Sequence, residues 1–266
     1  MNYSDYYLLC RDVWPHPAPP VETIYEDPVV RIPIESFDKS YIENVLSLSA
    51  GVKKDFDLMP ADPVMTKHIN LWKYADEIHT ICDALVPYLE EKRFGCHLYV
   101  DKIYIYRTAK LEAPKSSYLW HYDNNPAEIV KNIIYLTDVT ELNSPFEYMT
   151  NPHGRGIIFP PSRRGTKMWL AAPNGSRLTE GQLQELVQQG CAPQKVTGKI
   201  GETYSFSNDA IHRANSIVEG YRDVINIRVK PTLEKAPSYA SRAYTTGFDV
   251  PGSVNPNPEV AWRAIK

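Results

Sequence analysis

The spacing of apolar positions changes its period part-way along the chain. Between Asp62-Pro63 and Gly95, the residues Ile69, Trp72, Ile78, Ile81, Leu85 and Leu89 recur mostly at steps of three and four. That spacing lays an apolar stripe along one face of a helix, with Asp62 before Pro63 as its start and Gly95 as its stop. A shorter helix is predicted from about Phe37 to Ser49, turning Ile42, Val45 and Leu46 inward, with Gly51 beyond its end. From Cys96 onward the helical period gives way to short runs rich in Tyr, Ile and Val between polar turns: "HLYVDKIYIYRT", "KNIIYLTDV", "SPFEYM", "TYSFSND" and "DVINIRVKP". Short strands at this spacing predict antiparallel sheets in a sandwich or barrel. One helix interrupts them, "LTEGQLQELVQQG", where Thr179 and Gln182 form a capping-box pattern and Gly190 a C-cap. Pro231, Pro237, Pro251, Pro256 and Pro258 predict that the tail after Lys230 is surface coil.

Composition limits what such a chain can do. Of 266 residues, 43% are hydrophobic and 23% charged, which suits a globular protein with a sizeable core. A formal charge of −3 supplies no general attraction for nucleic acid or an anionic membrane. No segment approaches the roughly 18 apolar residues of a membrane helix, and "MNYSDYYLLCRDVWPHP" has no secretory pattern, so a cytoplasmic location is expected. The four cysteines lie far apart without a C-x-x-C pair, the pattern of free thiols.

Against this background one stretch stands out, "YLWHYDNNP" at 118–126. On an extended strand His121 and Asp123 project from the same face, two groups that are costly to bury without partners. Together they can hold a metal from one side. The best third ligand is His212 in "GETYSFSNDAIHRANS", at the mouth of an aromatic strand. Two histidines and one carboxylate form the facial triad of non-heme Fe(II) oxygenases; zinc in a comparable set keeps one water for hydrolysis. Arg222 follows His212 by ten positions, at the start of "RDVINIRV", where its guanidinium can fork onto the far carboxylate of a chelating co-substrate.

"WHYD" with the distant His and Arg resembles the Fe(II)/2-oxoglutarate-dependent dioxygenases. "IIYLTDVTELNSPFEYM", "GETYSFSNDAIHRAN" and "YRDVINIRV" resemble their phytanoyl-CoA dioxygenase-like branch, over roughly residues 97–230. The resemblance implies a mainly β fold with flanking α: a double-stranded β-helix (jelly-roll, cupin-like) core at 96–230, N-terminal helical support and a first strand at 1–95, an inserted helix near 179–189 and a C-terminal coil at 231–266, all in one oxygenase domain. It implies that His121, Asp123 and His212 bind Fe(II) and that Arg222 binds 2-oxoglutarate, with Tyr104 and Asn132 adding hydrogen bonds to it. With O2 as oxidant, the implied outcome is hydroxylation of a small molecule with release of succinate and CO2. Asp123 is the residue that halogenating relatives lack. The chain departs from the branch at Ser144-Pro145, where Gly-Pro is common, and at "NPHGRG".

Several other residues complete the expectations. Arg228 lies on the strand face of Arg222, as an alternative anchor, a substrate contact or a solvated charge. Arg155, Arg163, Arg164 and Lys167 form a cluster expected to cover the mouth and receive an anionic substrate group. His153 is a rival third ligand whose Gly- and Pro-rich surroundings suit an exposed position. Two other functions stay open: hydroxylation of a protein or carrier-tethered side chain, and metal or ligand binding by a jelly roll without turnover. The oligomeric state is open as well.

Overall fold

The computed structural model describes residues 3–59, 66–68, 71–108, 110, 116–123, 125–158, 177–236 and 239. Two antiparallel sheets face each other. The larger contains β1 (Val29–Ile32), β2 (Thr66–His68), β3 (His97–Thr108), β4 (Val130–Tyr135), β7 (Thr203–Ser207) and β9 (Arg222–Thr232), in the order β1-β7-β4-β9-β3-β2. The smaller contains β5 (Phe146–Thr150), β6 (Ala192–Val196) and β8 (His212–Ala214), in the order β6-β5-β8, and isolated bridges continue it from His212 to His121 and from His121 to Arg177. This is the double-stranded β-helix, mainly β with flanking helices.

The period-two alternation of the large sheet sorts its side chains. Ile103 and Ile105 of β3, Ile134 of β4 and Ile225, Ile227 and Val229 of β9 join the core under the helices. The alternate residues Tyr104, Tyr106 and Thr108, Lys131 and Ile133, and Arg222 and Asn226 line a cavity between the sheets. One face therefore supplies stability and the other supplies chemistry.

Helices α1 (Tyr3–Asp12), α3 (Lys39–Leu58) and α4 (Ala75–Leu89) contribute to the first core; α2 (Thr23–Glu26) is a single turn. Three boundaries differ from expectation, each for a local reason. α3 starts where Asp38 caps it, its carboxylate accepting from the Tyr41 N–H at 2.9 Å, but it runs on through Gly51 to Leu58. Gly51 is there for close approach: a Cβ would lie 2.5 Å from the Tyr74 ring. The buried stripe is Tyr41, Val45, Leu48, Val52 and Phe56, which leaves Leu46 exposed. α4 begins at Ala75, after a 3-10 turn at Leu71–Tyr74 that leaves Trp72 exposed; Ile69 and residues 60–65 lie outside the described residues. β9 extends to Thr232, two residues into the predicted coil.

Gly95 does stop its helix. α4 ends in a π-turn, Glu90–Phe94, closed by the Gly95 N–H donating to the Glu90 carbonyl at 2.7 Å. Gly95 itself has φ +62, and a Cβ there would lie 2.4 Å from that of Ala18. Gly95→Ala is expected to lower stability by about 1–3 kcal/mol, read as a lower denaturation midpoint at unchanged m-value. α5 (Glu180–Gln188) has the predicted capping box, and Gly190 follows it at φ +82.

Candidate active site

His121, Asp123 and His212 come together as the sequence predicts. Their ligating atoms lie within 4.8 Å of one another, with His212 Nε2 3.9 Å from Asp123 Oδ2 and the two imidazole centroids 4.2 Å apart. Backbone pairing sets this arrangement. The His121 N–H donates to the His212 carbonyl at 3.0 Å and the reverse bond is 2.8 Å, while the Asp123 N–H donates to the Asn208 carbonyl at 2.7 Å.

The tautomers follow from the partners. Nδ1 of His121 lies 2.8 Å from the Leu119 carbonyl, and Nδ1 of His212 lies 2.8 Å from that of Ala210. A carbonyl only accepts, so each Nδ1 carries the proton and each Nε2 keeps its lone pair for a metal. Burial pushes His121 down to about 3, helped by the neighbouring His212. Burial likewise pushes His212 down to about 4, against the opposing pull of Asp123. Burial acts to raise the Asp123 carboxyl, but Lys131, His212 and His121 outweigh it and hold the group well below the usual range. The set is two neutral imidazoles and one carboxylate, the protonation states a divalent cation needs.

These shifts predict how the metal-free protein responds to acid. Both imidazoles have folded values below the ordinary 6.5, so below pH 6.5 the unfolded chain takes up protons that the folded protein refuses. Stability is full above pH 6.5 and falls as the pH drops toward 4. Denaturation midpoints between pH 7 and pH 4 are expected to show this slope, and His212→Gln to make it shallower.

Arg222 is buried and lines the same cavity, whose volume is about 430 Å³. Its Nη1 donates to the Ser144 carbonyl and its Nη2 lies 3.5 Å from Thr108 Oγ1. Its Nε is buried and without a partner among the described residues. Ser144 has φ +64, the one positive value at a described residue other than glycine. The position where the resembled branch has glycine thus keeps the left-handed backbone, and it aims a carbonyl at the arginine.

The other predicted residues fare differently. Tyr104 lines the cavity. Asn132 does not: the pleat of β4 turns it to the helix side, where its amide donates to the Ile227 carbonyl at 2.9 Å, and its neighbour Lys131 faces the site. Arg228 is neither an anchor nor a solvated charge. A bulge between Val100 and Lys102 places Asp101 against it, with Nε 2.8 Å from Oδ1, and Lys230 joins the same carboxylate at 3.0 Å. His153 lies in an exposed turn that lines a larger cleft of about 1000 Å³, away from the triad. Arg155 is near Glu26 and Asp27, at 3.7 and 3.6 Å. Arg163, Arg164 and Lys167 lie outside the described residues.

Sequence reasoning missed Lys131, Arg177 and Arg213, which all line the cavity. The Lys131 ammonium donates to Asp123 Oδ2. Arg213 pairs with Glu147 at 2.5 Å and lies over the Trp120 ring at 4.4 Å. Lys131 was open to detection as a lone cation in the apolar run "IVKNIIYL".

Solved structures share this architecture at low sequence identity. EctD from S. alaskensis, solved with 2-oxoglutarate and 5-hydroxyectoine, matches with a TM-score of 0.54 and 13% identity over 91% of this chain and 87% of its own. HygX from Streptomyces hygroscopicus, solved with nickel and 2-oxoglutarate bound, matches at 0.51 and 15% identity over 82% and 89%. SnoN, a non-heme alpha ketoglutarate dependent epimerase from nogalamycin biosynthesis, matches at 0.50 and 14% identity over 86% and 84%. The chain shares their fold. No protein-family model and no curated protein matches it in sequence. No helix among the described residues is long and apolar enough to cross a membrane.

Proposed function

We propose that this protein is an Fe(II)- and 2-oxoglutarate-dependent oxygenase that hydroxylates a small molecule. The observation that carries the reading is one cavity holding both the His121, Asp123 and His212 set and a buried guanidinium with an unpartnered Nε–H. A hydrolytic zinc site has no need of that guanidinium, whereas a dicarboxylate that chelates at one end needs an anchor for the other. Enzymes of the same fold solved with 2-oxoglutarate bound support the assignment of the co-substrate.

In this reading the two Nε2 atoms and Asp123 hold Fe(II), with Tyr104 facing the same space. Bound there, Fe(II) with 2-oxoglutarate would supply the activation of O2, for an overall conversion of 2-oxoglutarate, O2 and substrate to succinate, CO2 and hydroxylated product. The chain's part is to orient: carbonyls fix both imidazoles, and Arg222 fixes the far carboxylate. A space of about 430 Å³ suits a metabolite beside its co-substrate better than a polypeptide segment.

Anaerobic titration of the protein with Fe(II) and 2-oxoglutarate is expected to give the weak visible charge-transfer band of the chelate. Admitting air is expected to release succinate. An iron-loaded protein that gives no band with 2-oxoglutarate would remove this reading and favour hydrolysis or simple metal binding.

A further inference from the structure

One polar side chain on the cavity wall keeps an open acceptor. Lys131 donates to Asp123, Arg213 pairs with Glu147, and Arg222 is braced by Ser144 and Thr108. Asn226 lines the same space at 6% exposure, and its Oδ1 is buried without a hydrogen-bond partner among the described residues. An amide oxygen left bare in a protein interior is costly. The sheet does not need this side chain: the backbone of β9 pairs on both sides, with Tyr104 and Ile133 opposite Asn226. A β-branched residue suits a central strand better, so the amide lowers stability where it stands and calls for a ligand.

The chemistry of the cavity's contents says which ligand. In the oxygenase reading the space holds a metal, 2-oxoglutarate and a substrate. 2-Oxoglutarate offers only acceptors at neutral pH, so it cannot answer an amide oxygen, and the donor has to come from the substrate. The register separates the two places. The Arg222 guanidinium stays level with its own residue, because Thr108 is its register partner and its Nη2 neighbour at 3.5 Å. Asn226 lies four positions further along β9, about 13 Å at ~3.3 Å per residue. Lys131, whose ammonium reaches Asp123, stands opposite Arg228, two positions beyond Asn226. A group held by Asn226 is therefore on the Asp123 side of the triad, away from the co-substrate anchor.

We propose that Asn226 is a substrate-recognition residue and that the substrate is an alcohol, whose hydroxyl donates to Asn226 Oδ1. The proposal rests on the oxygenase reading and narrows its substrate class. A hydroxyl can also accept from the same amide's N–H, which an ammonium group cannot. Ile133, opposite Asn226 on the cavity wall, gives the apolar part of such a molecule a surface beside the amide. An analogue without the hydroxyl would fill the cavity and leave the amide bare, which is how a polar site discriminates.

The test uses the full chain saturated with Mn(II) and 2-oxoglutarate, with cyclohexanol as the probe and the paramagnetic relaxation of its 1H signals as the readout. Methoxycyclohexane, which keeps the oxygen and loses the donor, is the control. Saturable relaxation of cyclohexanol is expected, with the ether weaker by about tenfold. Asn226→Leu is expected to bring the alcohol down to the level of the ether, to leave the affinities for Mn(II) and 2-oxoglutarate unchanged, and to raise the denaturation midpoint. Asn226→Ala, which removes the amide without adding bulk, reads the same loss of preference should the leucine not fit. Equal binding of alcohol and ether by the wild type would overturn the proposal, as would no binding of either. So would a preference that survives in both variants, or a weakened hold on 2-oxoglutarate with the alcohol unaffected, which would give Asn226 to the co-substrate. Failure of the wild type to bind Mn(II) or 2-oxoglutarate at all would instead remove the oxygenase reading, and this proposal with it.

Discussion

Asp123→Ala is expected to lose Fe(II) affinity by about 10³-fold and to show no turnover at metal concentrations that saturate the wild type. A pair of unit charges 4 Å apart in a site of effective dielectric near 20 is worth about 4 kcal/mol, which is roughly three powers of ten. The loss should exceed that from either histidine, for a reason particular to this chain. The carboxylate also partners Lys131, so its removal leaves an ammonium facing the cavity, and that ammonium repels the incoming cation. Asp123→Ala/Lys131→Met is therefore expected to bind metal more tightly than Asp123→Ala alone, while activity stays lost because the third ligand is still missing. Calorimetric titration with Ni(II) or anaerobic Fe(II) measures both comparisons. Wild-type affinity in Asp123→Ala would exclude this carboxylate as a ligand. A double variant no better than the single would show that Lys131 has no electrostatic influence on the metal.

The triad was legible because extended backbone alternates its faces, as it does here even though His121 forms only isolated bridges and Asp123 lies in no strand. His121 and Asp123 are two apart, so one face holds both, and the cost of burying them bare made a shared cation the economical explanation. The expectation for Asn132 came from the resemblance, which took no account of this parity. Asn132 is one residue from Lys131, and one residue on a strand is the opposite face. Arg228 does share the face of Arg222, but its fate was decided by the bulge at Asp101, and nothing in the sequence marks that extra residue. Among the helices, α1 carried a readable signal that went unused: Tyr3, Tyr6, Tyr7 and Cys10, all buried, follow the helical spacing, but in aromatic and thiol side chains. Gly51 was misread because a glycine can mark either a helix end or a close approach, and only the Tyr74 ring, in a later turn, tells which. Arg177 became visible as a site residue only through the bridge to His121, a contact made by tertiary folding.

Arg222→Ala tests the proposed co-substrate anchor apart from the metal. Its expected effect is a rise of about a hundredfold in the 2-oxoglutarate concentration needed for half-maximal rate, with metal affinity unchanged. Two charge-assisted hydrogen bonds at about 1.5–3 kcal/mol each set the upper end, and water entering the vacated space offsets part of it. Metal affinity should hold because the described contacts of Arg222 are to Ser144 and Thr108, outside the triad. Discrimination is the more specific readout. 2-Oxobutyrate chelates as 2-oxoglutarate does but has no far carboxylate, so the wild type should strongly prefer 2-oxoglutarate and Arg222→Ala should treat the two nearly alike. Arg222→Lys should recover part of the preference, since an ammonium supplies the charge without the planar fork. An unchanged preference in Arg222→Ala would mean that the far carboxylate binds elsewhere in the cavity, with Lys131 as the next cation to test. That outcome would exchange the roles of the two ends of the site and leave His121, Asp123 and His212 where they are. A preference lost together with metal binding would instead show that the arginine supports β9 and β8 as structure, and the assignment of Arg222 to the co-substrate would then have to be withdrawn.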